Sequence, residues 1–454
     1  MRLQVMVRRA ASDVLWPLAG FGLVLLTMIW VSSQGTGSLL AHSPYDSYTL
    51  QALAWRDGQI PLPKNYPWLE LGVYQGHYWV TFPPVPAVVM WVLTFPFGAN
   101  TPSGAVTLVY FFAGLVAVYA LLRRYQPARP ATLWMVFVAL GGTILSLADA
   151  GGGATGGVWF QAQLLAFFLT AVAFLLVDGD RRLGWAIGLA CLALAVGCRP
   201  FNLIYAPVLL WMLYRHMGRP SRAWLPLLAA PALILGVYAV YNAYRFGSPL
   251  EFGHKYLPEL TRSGEGMFLP SKVPGHFEQV FQAPSFKGGK LEFPPAGGFA
   301  VYLTNPLLLL GLFAIAARVV RRKADVIDVL LFVTIVVHTL LLLSHRTNGG
   351  WQYGTRYFCD LLPVLVFAVA RGGVRGLVPA ASDVADEDDL LARASSGGAT
   401  APGHAPAPPA RSAPWTGNGS IVVGGVRISN GVAVGMGLLI AFNVYATIVF
   451  QALT

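Results

Sequence analysis

The chain has 454 residues, 56% of them hydrophobic and only 11% charged, against about 25% charged in an average soluble domain. Its formal charge of +11 is spread as short Arg/Lys clusters between long apolar runs. That alternation excludes a nucleic-acid-binding surface and points to an all-α polytopic membrane protein.

The opening stretch, MRLQVMVRRAASDVLWPLAGFGLVLLTMIWVSS, has the charge order of a secretory signal. Its apolar run is too long and lacks a small-x-small cleavage site, so it reads as an uncleaved first span at about 15–33. Crossing a bilayer core of about 30 Å takes about 20 apolar residues. Further runs place spans at about 104–122, 131–149, 159–177, 183–198, 201–214 and 224–243, and then at 300–319, 326–344, 357–370 and 431–450. That makes about eleven transmembrane helices. The pair 183–198 and 201–214 is short and joined at Arg199-Pro200. With the N-terminus inside, every second loop is basic: RRYQPARP, DGDRR, YRHMGRPSR, RVVRRK and the opening RGGVRG. The positive-inside rule assigns these loops to the cytoplasm, and 34–103 and 244–299 to the exterior.

In the first external loop, SYTLQALAW reads as a short interfacial helix, and FPPVPAVVMWVLTFPFG as a Pro-bounded helix lying in the interface. Residues 1–370 thus form a transmembrane core, and 431–454 a C-terminal transmembrane helix. Between them, 371–430 holds DVADEDDLLARASSGGATAPGHAPAPPARSAPW, too poor in apolar residues to order itself, and reads as a cytoplasmic, largely disordered linker. No internal or inverted repeat is visible.

Most residues with chemistry to offer fall on the external side. Asp46, in PYDSY, is either the cap of the helix that follows or a functional carboxylate. Glu70, in YPWLELGVYQGHYW, sits among aromatics whose partial burial raises a carboxylate pKa and suits a general base or a hydrogen-bonding partner. Asp149 closes the third span before a Gly-rich turn that lacks the Lys-Ser/Thr ending of a phosphate loop. Arg356 either pairs with Asp360, four residues on along one helix face, or grips a phosphate with its planar fork. Arg245, His254 and Lys255, in YRFGSPLEFGHKYL, are further phosphate-binding candidates, whereas Arg199 can equally snorkel to lipid. His42, Tyr45, Tyr78 and Gln163 complete the candidate substrate pocket. His338, inside the ninth span, reads as a neutral histidine bonded between helices. Cys191, Cys198 and Cys359 read as free thiols. No HExxH, GxSxG or CxxC is present, so no cofactor is indicated, and a divalent metal stays open without a ligand motif.

In order and sidedness these motifs resemble the GT-C membrane glycosyltransferases, in the branch of the protein O-mannosyltransferases and the lipid A aminoarabinose transferase. The resemblance is carried by DSYTLQALAWRDGQIPL, LELGVYQGHYWVTFPPVPAVVMWVLTFPFG, YNAYRFGSPLEFG and WQYGTRYFCDLLPVL. It implies a GT-C-like bundle in a bacterial inner or plasma membrane, with its site facing the periplasm or exterior. The implied activity is transfer of a hexose or pentose from a polyprenyl-phosphate donor to a lipid, glycan or protein acceptor, by inverting displacement. The family's catalytic aspartate falls on Asp46, its acidic partner on Glu70, and its second-loop acid on Asp149. Many relatives carry an Asp-Glu doublet where Asp46 is followed here by Ser47. Two other readings stand beside this one: a transporter or flippase of a lipid-linked substrate, and an inactive GT-C-like scaffold.

Overall fold

The computed structural model describes residues 2–35, 38, 41–148, 156–288, 290–294, 298–349, 353–372, 420–423 and 426–451. Asp149 and most of the expected linker lie outside them.

The chain opens with α1 (Arg2–Ser32), a long apolar helix. The segment expected outside the membrane then folds as α2 (Ser47–Arg56), a hairpin of β1 (Leu71–Tyr74) and β2 (His77–Val80), and α3 (Val85–Phe97). Both helices stand where the sequence suggests. The hairpin was not foreseen: its antiparallel register pairs Leu71 with Val80 and Tyr74 with His77 around a Gln75-Gly76 turn with positive φ at both residues. Next come α4 (Ser103–Arg123), α5 (Ala128–Leu140), α6 (Ile144–Ala148), α7 (Val158–Val177), α8 (Arg182–Val196), α9 (Ala206–Met217) and α10 (Leu225–Phe246). The second external segment carries α11 (Pro258–Ser263), α12 (Val273–Phe281) and a hairpin of β3 (Ser285–Lys287) and β4 (Lys290–Glu292). The remaining helices are α13 (Val301–Thr304), α14 (Leu307–Val320), α15 (Val326–Ser344) and α16 (Leu362–Gly372). Last come β5 (Ser420–Val423) paired with β6 (Val426–Ser429), and α17 (Asn430–Gln451). The β5–β6 hairpin, which leads into the last helix, lies within the stretch expected as a linker.

Each of the eleven expected spans coincides with helix, but among the described residues only six helices are long and apolar enough to cross a membrane. Of the other five, all but the short, continuous α8 are cut by the backbone. Gly141-Gly142 separates α5 from α6, Pro306 separates α13 from α14, and a 3-10 turn (Arg356–Leu361) precedes α16. A run of hydropathy is blind to such breaks, because the residues on either side stay apolar. The chain is nonetheless an integral membrane protein. Its outermost helices expose apolar surface that only lipid can cover: 22% of the α1 span and 17% of the α10 span are buried, against 72% for α7.

α7 is the centre, packed against α4 and α8, with α16 also on it. Close approach there depends on small residues: a Cβ on Gly114 of α4 would stand 2.4 Å from the Phe167 ring of α7. At the end of α8, the Gly197 carbonyl accepts the Val85 amide at 3.0 Å, docking the start of α3. A Cβ there would meet the Tyr238 hydroxyl at 2.3 Å and Val85 Cγ2 at 2.4 Å.

The basic loops meet one another at one end. Arg371 donates to both Asp325 carboxylate oxygens at 2.9 Å, and Arg215 reaches Asp325 at 3.3 Å. Arg318 binds Asp328 at 2.8 Å, while Arg124 lies 3.6 Å from Asp178. Asp325 and Asp328 also form the capping box of α15.

Candidate active site

The opposite end gathers the candidate residues around the first two turns of α7. Asp46 is the N-cap of α2, so the capping reading is realised: Thr49 donates its amide to Oδ1 at 3.1 Å and its hydroxyl to Oδ2 at 2.5 Å. A cap usually faces water, whereas this one is 1% exposed and takes a third donor, the Gln161 amide, at 2.8 Å on Oδ1. Gln161 also donates to the Gly156 carbonyl at 2.7 Å, and the Val158 amide to the Tyr45 carbonyl at 3.0 Å. The start of α7 is thereby fastened to the turn that carries Asp46. Burial raises the Asp46 pKa, and the Thr49 and Gln161 hydrogen bonds pull it partly back. His42 donates Nδ1–H to the Thr101 carbonyl at 2.9 Å, and the same nitrogen lies 3.9 Å from Asp46 Oδ2.

Trp159, two residues before Gln161, donates its indole N–H to Glu70 Oε2 at 3.1 Å. Glu70 lies at the surface, yet surrounding protein raises its pKa against the pull of that hydrogen bond and the Arg356 charge. Gln163, two residues after Gln161, donates to the Arg356 carbonyl at 3.2 Å and to Asp360 Oδ1 at 3.3 Å. One helix start thus ties together Asp46, Glu70 and the Arg356–Asp360 segment.

The pairing of Arg356 with Asp360 is corrected. Asp360 is held by Arg199, whose Nε and Nη2 reach Oδ2 at 2.9 and 2.8 Å. The helix-face rule fails because residues 356–361 form a 3-10 turn. At about 3.0 residues per turn, positions four apart diverge by about 120°, not the about 40° of an α-helix. Arg356 instead donates to the Gly349 carbonyl at 3.2 Å and lies over Trp159, Phe160 and Tyr357. Arg199 approaches the same Tyr357 ring at 5.1 Å. Two histidines share this neighbourhood. Burial, then Arg199, lowers His254 to about 4, and burial, then Arg199, His254 and Arg356, lowers His345 to about 3. Cations and neutral imidazoles crowd together here, with Asp360 as the buried carboxylate that binds one of them.

Arg245 and Lys255 stand differently from expectation. Arg245 is buried, giving its fork to the Val80 carbonyl at 2.8 Å and Asn242 at 2.9 Å, with Tyr241 and Phe246 over its face. It fastens the β1–β2 hairpin to α10. Lys255 is exposed and paired with Glu251 at 2.8 Å. Tyr45 packs its ring on Trp159, while Tyr78 lies in β2 with its carbonyl accepting the Leu62 amide. His338 bonds the Tyr205 hydroxyl at 2.9 Å between helices, as expected. Cys198 and Cys359 are buried free thiols. Sequence reasoning passed over Trp159, Gln161 and His345. The signal for the first two was VWFQAQ, two glutamines opening an apolar span, since polar groups there are costly unless they serve a partner. Among the described residues no three His, Cys, Asp or Glu side chains gather as a ligand set, and neutral donors engage the Asp46 carboxylate.

No family model and no curated protein sequence matches the chain. Among solved structures it is similar to the apo oligosaccharyltransferase of Archaeoglobus fulgidus, at 14% identity and a TM-score of 0.47 over 96% of this chain and 55% of that one. The same organism's AglB, in complex with an inhibitory peptide and a dolichol-phosphate, gives the same identity, coverage and score. ArnT of Cupriavidus metallidurans bound to undecaprenyl phosphate is similar at 12% identity and a TM-score of 0.44, over 84% of this chain and 63% of that one. The chain spans about half the length of the archaeal enzyme. At these identities the likeness concerns the arrangement of helices, not the role of any residue.

Proposed function

We propose that the protein is an integral-membrane glycosyltransferase that moves a sugar from a polyprenyl-phosphate donor to an acceptor hydroxyl at the outer membrane face. The observation that carries this reading is that the start of α7 links a buried, pKa-raised carboxylate, through Gln161, to the Arg356–Asp360 segment, through Gln163, with Arg199 bound to Asp360. Displacement at an anomeric carbon needs both parts. A base takes the acceptor O–H proton as the oxygen attacks, and cations stabilise the phosphate oxygen as its bond to the sugar breaks.

Asp46 is assigned the first task. Its Oδ1 accepts two hydrogen bonds and its Oδ2 one, so Oδ2, which lies 3.9 Å from His42 Nδ1, keeps a lone pair to take the acceptor proton. Arg356 and Arg199 are assigned the second, as planar forks matched to a phosphate, with His254 and His345 as neutral donors beside them. Glu70 orients the acceptor at the entrance. A single displacement of this kind inverts the anomeric centre. The basic end, by the positive-inside rule, faces the cytoplasm.

The complete capping of Asp46 favours a second reading, an inactive scaffold in which the carboxylate only holds α2. Transfer of a radiolabelled sugar from polyprenyl phosphate by purified protein separates the two. Asp46→Asn keeps the size and much of the hydrogen bonding but cannot take the proton, so transfer should fall by about 10²–10⁴-fold while donor binding persists. An Asp46→Asn variant as active as wild type would sink the mechanism.

A further inference from the structure

Four aromatic rings border the turn that carries Asp46. Tyr45 and Trp159 lie 5.8 Å apart, tilted by 42°, and Tyr66 meets Trp68 edge-on at 5.6 Å. Trp68 is 56% exposed, yet its indole N–H donates to the Pro44 carbonyl at 3.1 Å, two residues before Asp46. Trp159 donates its own N–H to Glu70 Oε2, and the Arg356 guanidinium lies 5.9 Å from its ring. Indoles that serve as membrane anchors need only the lipid interface to satisfy them. Here both indole N–H groups are bound to the residues that frame the Asp46 entrance, so the rings are fixed in orientation and grouped around it.

We infer that this platform is a subsite for a pyranose ring of the acceptor, which makes the acceptor a glycan. Rigid aromatic faces offer contact area at low entropic cost, and they match the C–H face of a sugar ring. A carboxylate at their edge accepts the ring hydroxyls, the few polar contacts that fix orientation in such sites. Glu70 is placed for this: Trp159 holds Oε2, and Oε1 is assigned to accept a ring hydroxyl. The inference rests on the proposed role of Asp46. Trp159 and Gln161, the donor to Asp46, are two residues apart on α7, and Tyr45 directly precedes Asp46. The platform and the base are thus carried by the same turn and the same helix start.

The test uses the purified full-length protein and three probes: the methyl α-pyranosides of glucose, mannose and galactose. Binding is read by saturation-transfer NMR and tryptophan fluorescence. At least one probe should bind through its ring C–H groups, and Trp68→Ala or Glu70→Gln should each weaken it by about tenfold. Trp159→Phe keeps a ring and removes only the N–H to Glu70, so its smaller loss supports the geometry even if Trp159→Ala fails to fold. Asp46→Asn should bind the pyranoside as wild type does; loss of transfer with binding intact then falls on the base alone. Wild type that binds none of the three at tens of millimolar overturns the subsite. Trp68→Ala that binds sugar normally but is poorly retained in phosphatidylethanolamine–phosphatidylglycerol vesicles makes the rings a membrane anchor and overturns it too. Displacement of the pyranoside by saturating polyprenyl-phosphate mannose would give the platform to the donor sugar and overturn the acceptor assignment.

Discussion

Among the described residues, Gln161 supplies the one hydrogen bond to the Asp46 carboxylate from outside the turn that it caps. Because it favours the charged form, it holds down a pKa that burial raises. A base works only when deprotonated, so transfer rises with pH through the Asp46 pKa and levels above it. Gln161→Met keeps the volume and removes the donor. A hydrogen bond to a charged group is worth about 1.5–3 kcal/mol, so the acidic limb of the kcat/KM profile should move up by about 1–2 pH units. An unmoved limb would mean that Asp46 is not the titrating base. The two arginines separate in the same spirit. Arg199→Ala strands Asp360, which is 4% exposed, and should cost about 3–5 kcal/mol in thermal unfolding. Arg356→Ala leaves that ion pair intact and should lower donor affinity instead. The sequence held both residues but could not say which one Asp360 binds. Arg199 lies 161 positions away, and the 3-10 turn cancels the local spacing rule.

At the scale of elements, the external helices α2 and α3 were legible because caps, prolines and apolar spacing are local signals. The β1–β2 hairpin was not: its aromatic run also suits an interfacial loop, and the Gln-Gly turn is a weaker signal than Asn-Gly. Nor could the sequence show that α3 docks on the end of α8 through the Gly197 carbonyl, since that contact joins residues more than a hundred positions apart. The contact matters because α3 closes the external loop whose start carries Asp46. Gly197→Val would place a branched side chain where a Cβ already meets the Tyr238 hydroxyl and Val85. Overpacking costs about 1–3 kcal/mol. The expected outcome is a lower unfolding temperature and a weakened transfer rate, whereas Gly236→Ala, with open space around its Cβ, should change neither.

Across the whole molecule, charge is sorted to two ends that do different work. At one end Arg124, Arg215, Arg318 and Arg371 pair with Asp178, Asp325 and Asp328, binding the basic loops together. At the other, Asp46, Glu70, Arg199 and Arg356 are drawn around the start of α7, where the proposed transfer would use them. The alternation of basic loops anticipates this sorting, although the number of full-length spans does not survive the breaks at Gly141-Gly142 and Pro306. A transporter would place such groups near the middle of the bundle, on both sides of broken helices in paired halves. If the basic end is cytoplasmic, Ser271, exposed in the second external segment, faces out, and Ser221, exposed beside α10, faces in. In a variant lacking Cys191, Cys198 and Cys359, a cysteine at 271 should react with an impermeant thiol reagent in intact cells. A cysteine at 221 should react only after the membrane is opened. The reverse pattern would put Asp46 on the cytoplasmic side, where nucleotide sugars are at hand, and the case for a polyprenyl-phosphate donor would go with it.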